Sequence, residues 1–154
     1  MAGTILSGGA AIIDDIEAIK RLKASYCAAA DNGHDPEEFA SLYIEDAIWE
    51  SADFGCNKGL KEIKALAVRF GELISFSRHM VMNPVINVRG QHAHGTWSLM
   101  AAINLRHGSG GQLILGAYDE DYVKTGSGWK FLHVRGFRLA STDIPAGWQQ
   151  AAIW

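Results

Sequence analysis

The chain has 154 residues, of which 48% are hydrophobic and 20% are charged. This length fits one domain with one substantial core, and the composition excludes a disordered or low-complexity protein. Because the formal net charge is −3 and the lysines and arginines are scattered, we expect no nucleic-acid partner.

The two cysteines and the N-terminal segment indicate the cellular compartment of the protein. Cys27 and Cys56 match neither a disulfide framework nor a zinc site, which favours a reducing cytoplasm. The first residues lack a basic region, and their longest apolar run is too short to cross a bilayer, so we predict no membrane segment. We interpret 1–154 as a single domain in which 1–11 forms a flexible, Gly/Ser-rich arm.

The first helix is indicated by apolar spacing. Asp14 or Asp15 is a cap candidate, and Asp31 with Asn32 and Gly33 closes the helix after Ala30. Between these limits, apolar residues recur at three- and four-residue spacing: Ile16, Ile19, Leu22 and Tyr26.

Two further helices are predicted before the sheet. The second begins at Asp35-Pro36-Glu37-Glu38, which combines a cap, a proline in the first turn and two acids at the positive end of the helix dipole. Its inner face carries Phe39, Leu42 and Tyr43. After a short apolar stretch around Ile48 and Trp49, the third helix is traced by the helical spacing of Leu60, Ile63, Leu66, Phe70 and Ile74.

The second half of the chain changes to extended structure. Four runs are predicted as strands, at 79–88, 92–105, 112–124 and 129–139, and glycine-bearing turns separate them. Short turns between long strands require antiparallel neighbours, so the pattern predicts a strongly curved antiparallel meander. Helices followed by a sheet are typical of the α+β class.

Four segments carry a resemblance to known enzymes, and they occur in the same order. These are SYCAAAD, DPEEFASLYIEDAIW, SRHMVMN and GAYDEDYVKTGSGWKF, within residues 14–145. On them the chain is identified as a member of the nuclear-transport-factor-2-like (SnoaL-like) superfamily, and it resembles scytalone dehydratase and hexachlorocyclohexane dehydrochlorinase. The resemblance implies a cystatin-like α+β barrel: a cone-shaped, curved antiparallel sheet wrapped by N-terminal helices around a pocket.

The resemblance also points to a catalytic pair. In both enzymes an aspartate after the first helix and a histidine on the first long strand form a dyad, and Asp31 and His79 stand at the matching points. A neutral imidazole is suited to take a proton near pH 7, and a carboxylate on its other nitrogen fixes the tautomer. From the residues alone, Asp31 as a turn residue and His79 as a core histidine remain open.

Four residues are predicted to bind substrate. Tyr26 lies on the apolar face of the first helix and Tyr118 lies in mid-strand, so their hydroxyls are candidates to bond a substrate oxygen, although packing in the core is the alternative. The same two interpretations apply to Trp49. Arg135 is a loose counterpart of an arginine on a late strand of the dehydrochlorinase. Ala30 stands where scytalone dehydratase has a tyrosine.

The sequence predicts neither a metal nor a cofactor. His92 and His94 share one face of a strand, but a third ligand is missing from view. The glycine-bearing turns do not connect a strand to a helix in the way that phosphate sites require. Strand alternation would place His133 and Arg135 on the same face as Trp129 and Phe131.

The resemblance implies a cofactor-free lyase. The expected reaction is dehydration of a small cyclic or aromatic-precursor hydroxyketone, with dehydrohalogenation as a related form. Isomerisation on the same dyad is the first alternative, because both reactions pass through an enolate. The second alternative is a non-catalytic binding or structural subunit, like the small subunit of ring-hydroxylating dioxygenases.

Two expectations concern surfaces. An outer sheet face with apolar residues is usually covered by another subunit, so we predict a homo-oligomer, and the resemblance to scytalone dehydratase favours a trimer over a dimer. Residues 144–154 contain two tryptophans, Trp148 and Trp154, that are costly to leave in water. We expect this segment to dock on the body or to cover the mouth of the pocket.

Overall fold

The computed structural model of the chain describes residues 3–108 and 110–149. Within these ranges the helices are α1 (Gly3–Asp31), α2 (Pro36–Ala40) and α3 (Gly59–Leu73). The strands are β1 (Tyr43–Ser51), β2 (Gly55–Lys58), β3 (Ile74–Arg89), β4 (His92–Leu105), β5 (Gly111–Thr125) and β6 (Gly128–Ile144).

Helix α1 buries the predicted apolar face but is longer than predicted. Ile19 is fully buried and Tyr26 nearly so. The helix already begins at Gly3, within the segment 1–11 that was predicted as a flexible arm. A proline-free, alanine-containing segment can continue a helix that is already nucleated by packing. Asp15 is not a cap, because its Oδ1 accepts bonds from Lys124 Nζ at 2.7 Å and Trp129 Nε1 at 2.8 Å.

The turn from α1 to α2 follows the sequence signals closely. Gly33 adopts a φ of 89°, in the left-handed region that ends many helices. Asp35 then caps α2, since its Oδ1 accepts bonds from the backbone N–H groups of Glu37 at 3.0 Å and Glu38 at 2.8 Å. The predicted start of α2 is therefore confirmed.

The ends of α2 and α3 differ from the prediction. Tyr43, expected on the face of α2, is the first residue of β1, and Ile74, expected in α3, is the first residue of β3. In both places the apolar residues keep a helical spacing beyond the end of the helix, up to the first residue of the next strand. Periodicity alone does not separate these cases over one turn.

The six strands form one curved, open sheet in the order β2-β1-β6-β5-β4-β3. Strands β3 to β6 make the predicted antiparallel meander. Strand β1 was not predicted, and it runs parallel to β6 and antiparallel to β2. The α+β class is confirmed, whereas the purely antiparallel sheet is corrected by the pair β1–β6.

The register separates two faces of the sheet. His79, Ala101 and Ile114 lie side by side on β3, β4 and β5 and face the concave side, where the helices pack. Their sequence neighbours Met80 and Leu115 lie on the outer side. Part of the core between the helices and the sheet is formed by aromatic side chains, among them Tyr26, Phe39, Tyr43, Tyr122 and Phe131.

The described part of the C-terminal segment, which ends at residue 149, contacts strands β4 and β5. Trp148 donates from its backbone N–H to Asn104 Oδ1 at 2.7 Å, and its indole N–H donates to the carbonyl of Gln112 at 3.2 Å. Trp154 lies outside the described residues, so closure of the pocket mouth stays a prediction. Among the described helices, none is long and apolar enough to span a membrane.

Candidate active site

The concave side of the sheet encloses a cavity of about 260 Å³ between the helices and strands β1 and β3 to β6. Most of its wall is aliphatic or aromatic, as is typical of small-molecule pockets. The apolar lining includes Phe54, Phe70, Leu73, Ile74, Leu99, Ala101, Ile103, Leu105 and Ile114. At its half-exposed edge, Arg138 pairs with Asp53 at 2.5 Å.

Asp31 and His79 meet at the wall of this cavity. Asp31 is the last residue of α1, and His79 lies on β3 and lines the cavity. His79 Nδ1 is 2.6 Å from Asp31 Oδ1, and the two side chains are 14% and 11% exposed. The structure therefore brings together the two residues that were predicted to form a dyad.

Further hydrogen bonds fix the Asp31 carboxylate. The backbone N–H of His79 donates to Asp31 Oδ2 at 2.9 Å, and the Ser77 hydroxyl lies 3.0 Å from Oδ1. An ionised carboxylate only accepts hydrogen bonds, so His79 Nδ1 must carry the proton in their shared bond. In the neutral ring, Nε2 then has a free lone pair and is the nitrogen able to take a proton.

Tyr26, Trp49 and Tyr118, which the sequence analysis proposed as substrate-binding residues, also line the cavity. Trp49 Nε1 donates to the Tyr26 hydroxyl at 3.1 Å. The ring centroids of Tyr26 and Tyr118 are 5.8 Å apart in an edge arrangement. Burial raises the pKa of both tyrosines well above the ordinary value. Their hydroxyls are therefore neutral and able to donate a hydrogen bond.

Arg135, the fourth residue proposed to bind substrate, does not line this cavity. Its guanidinium lies on the outer face of β6 and pairs with Asp119 at 2.7 Å and Asp121 at 2.8 Å. The alternation that placed Arg135 with Trp129 and Phe131 is broken by one extra residue, because Tyr122 pairs with Phe131 whereas the adjacent Asp121 pairs with His133. A bulge of this kind turns every later side chain to the opposite face.

A second histidine, His34, lines the cavity and was missed by the sequence analysis. It follows Gly33 in the turn after α1, has a φ of 58° and is 5% exposed. Its ring packs 5.1 Å from that of Phe70. Burial lowers the pKa of His34 to about 4, so the ring is neutral at pH 7.

We expect acidification from pH 6.5 to pH 4 to destabilise the protein through His34. The folded pKa is about 4, whereas an unfolded histidine titrates near pH 6.5. In this window the unfolded state binds more protons than the folded state, so the free energy of unfolding rises with pH and falls on acidification. The largest decrease in the free energy of unfolding that His34 alone can cause is about 3 kcal/mol.

Urea titrations at a series of pH values measure this dependence. The matched variant is His34→Asn, because asparagine does not titrate and tolerates a positive φ. The curve of the variant should be flatter than that of the wild type between pH 6.5 and pH 4. Parallel curves for the two proteins would contradict the assignment.

A buried ion pair lies next to the two tyrosines and was also missed. Lys23 Nζ is 2.5 Å from Glu120 Oε1, and both side chains are fully buried. The same nitrogen lies 3.3 Å from the ring centroid of Tyr118 and 4.1 Å from that of Tyr26. The Tyr122 hydroxyl donates to the other oxygen of Glu120. Each of these two ionisable groups thus has a partner of opposite charge within the core, as burial requires.

The histidines considered as metal ligands lie outside this cavity. His94 Nδ1 bonds Asp121 Oδ1 at 3.0 Å on the outer face, and His92 lies on the same strand. Within residues 3–108 and 110–149, no cluster of three or more His, Cys, Asp or Glu side chains is arranged to hold a metal ion.

Comparisons with known proteins agree with this fold. The family model described as a SnoaL-like domain matches residues 11–135. A comparison with curated proteins finds no match. Among solved structures, the chain is similar to a type 2 hexachlorocyclohexane dehydrochlorinase (LinA), with 22% sequence identity and a TM-score of 0.83 over 92% of this chain and 97% of that chain.

Two structures from Novosphingobium aromaticivorans are also similar. One is a scytalone dehydratase candidate with 24% identity and a TM-score of 0.79, covering 86% of this chain and 89% of that chain. The other is an NTF2-like protein with a cystatin-like fold, with 20% identity and a TM-score of 0.72 over 90% and 92% of the two chains. At these identities the likeness establishes the fold.

Proposed function

The chain belongs to the SnoaL-like domain family, and from this premise we propose that it is a cofactor-independent lyase that removes water from a small cyclic or aromatic-precursor hydroxyketone. The observation that best supports this proposal is the 2.6 Å contact between Asp31 and His79 at the wall of an open cavity. A positioned imidazole with a carboxylate partner is the usual arrangement for general acid–base catalysis.

In the proposed reaction, His79 Nε2 takes a proton from the carbon next to the substrate carbonyl. The electrons of that C–H bond form an enolate, and Asp31 stabilises the imidazolium that results. The enolate then expels the hydroxyl group from the neighbouring carbon, and the imidazolium returns its proton to this leaving group. The products are one water molecule and the unsaturated ketone, and His79 is neutral again.

Tyr26 and Tyr118 supply the hydrogen bonds in this mechanism. The Tyr26 oxygen accepts a hydrogen bond from Trp49 Nε1, and we assign its own O–H as a donor to the substrate. A donor aimed at the carbonyl oxygen stabilises the negative charge that develops there, and the effect is largest where water is excluded. We therefore assign the two tyrosines to the carbonyl oxygen of the substrate.

The same residues also support an isomerase as the second candidate function. An enolate formed by His79 can be protonated at another carbon instead of expelling a leaving group. The open cavity is the observation that favours either enzyme over a purely structural subunit, in which side chains would fill this space.

The proposal is tested by incubating the protein with a panel of hydroxylated cyclic ketones and following the products by mass spectrometry. Loss of the mass of one water molecule identifies a dehydratase. An isomeric product that separates from the substrate by chromatography and carries deuterium from heavy water identifies an isomerase. Binding without either change would reject both reactions and favour a binding protein.

We further propose that the protein self-associates through the outer face of its sheet. Met80, Met100 and Leu115 lie side by side across β3, β4 and β5, and Met82 extends this row. Met80 is 39% and Leu115 is 48% exposed, which is unfavourable for a contiguous apolar surface in water. Sedimentation should show an oligomer at micromolar concentration that Leu115→Glu shifts towards monomer. A monomeric wild type would contradict this proposal.

A further inference from the structure

His34 is a polar group of the cavity to which the proposed mechanism gives no task. It is 5% exposed, and no residue that the structure describes forms a hydrogen bond with its ring nitrogens. Neither nitrogen is sealed inside the core, in contrast to the unpartnered hydroxyl of Tyr43. The open space at this residue is the candidate active-site cavity and a side cavity of about 30 Å³ next to Asp31.

The protein fold holds His34 in place without using its nitrogens. Gly33 and His34 both have positive φ angles, and the backbone N–H of His34 donates to the carbonyl of Ala29 at 3.1 Å. Helix α3 approaches this turn so closely that a Cβ atom on Gly71 would lie 3.1 Å from the Gly33 carbonyl oxygen. Phe39 and Phe70 pack against the ring.

A side chain whose polar atoms face a cavity without a protein partner is available to bind what occupies that cavity. A phenylalanine ring would fill the same space against Phe39 and Phe70 but could not form such hydrogen bonds. An imidazole at this position is favourable if a ligand supplies the missing partner.

We propose that His34 is a ligand-binding residue that selects for a second oxygen function on the substrate ring, in addition to the group that faces His79. This inference rests on the proposal that the cavity is the substrate site. A neutral imidazole offers one donor and one acceptor, which suits an uncharged hydroxyl or carbonyl group. A carboxylate is disfavoured here, because the one cationic side chain of the described cavity lining, Arg138, is already paired with Asp53.

Binding of three matched ligands to wild type and His34→Phe tests the inference. Toluene, phenol and resorcinol share one ring and carry no, one and two hydroxyl groups. Calorimetry should show that His34→Phe weakens resorcinol binding by about tenfold, the worth of one hydrogen bond. Toluene binding should stay within about twofold of the wild-type value, because a ring of similar size is retained.

Two further measurements separate the loss of a hydrogen bond from a change in packing. His34→Asn keeps a polar side chain and tolerates the positive φ, so it should retain more resorcinol affinity than His34→Phe. In the wild type, the ring nitrogen resonances of His34 should shift when resorcinol is added, which does not depend on any variant folding.

Equal resorcinol affinity in wild type and His34→Phe, or unshifted His34 nitrogen resonances, would overturn the inference. Failure of the wild type to bind resorcinol at millimolar concentration would overturn it as well. Turnover plays no part in these measurements. A protein that binds resorcinol through His34 but dehydrates no ketone would therefore retain this inference and lose the lyase proposal.

Discussion

We expect His79→Ala to lower turnover by about a hundredfold or more while the protein stays folded, because positioned general acid–base catalysis contributes at least that much. His79 lies at the cavity wall and is not part of the fully buried core, so its loss should change the melting midpoint little. The substrate KM should change far less than kcat, since the imidazole is assigned to proton transfer and not to ground-state binding.

Asp31→Asn tests the other half of the dyad. The amide of asparagine can donate to Nδ1, which stabilises the tautomer whose Nε2 already carries a proton and cannot act as a base. Turnover should again fall about a hundredfold or more, with little change in KM. The turnover of each variant is measured with the substrate that the panel of ketones identifies, and its melting midpoint is measured alongside.

The chain provides a matched control for both variants. His94 also bonds an aspartate, Asp121, at 3.0 Å, but it lies on the outer face and is 45% exposed. His94→Ala should therefore keep wild-type turnover. Full activity in a folded His79→Ala protein would eliminate the proposed mechanism and favour a non-catalytic role.

The second large effect is expected from the buried ion pair. Lys23→Met leaves the Glu120 carboxylate in the core without its cation, and loss of one partner of such a pair costs roughly 3–5 kcal/mol. The double variant Lys23→Met/Glu120→Gln removes both charges and should recover a large part of this loss. Urea unfolding at pH 7 measures the free energy of unfolding of each protein.

An exposed pair of the same residue types serves as the control. Lys64 lies 2.7 Å from Glu37 on the surface, so Lys64→Met should cost less than about 1 kcal/mol. If Lys23→Met were no more destabilising than Lys64→Met, the buried pair would not be charged in the folded protein. If the double variant were as unstable as Lys23→Met, the loss would come from packing and not from an unpaired charge.

Local chemistry explains why much of the fold was predictable. The cap at Asp35 and the glycine at position 33 act within a few residues, and the structure has both. The meander of β3 to β6 follows from short turns that permit only antiparallel neighbours. The Asp31–His79 pair was predicted by resemblance, and its hydrogen bond depends on α1 ending where β3 passes.

What the sequence by itself determined about this protein is thus the end of α1 before Gly33, the start of α2 at Asp35, the antiparallel meander and the α+β class. The tertiary structure alone decided the rest, because those features depend on partners far away in the chain. Strand β1 exists as a neighbour of β6. One bulge in β6 turns Arg135 outward. Lys23 is buried because Glu120, 97 residues later, meets it. Spacing along a chain cannot reveal such contacts, since folding fixes them through packing of distant segments.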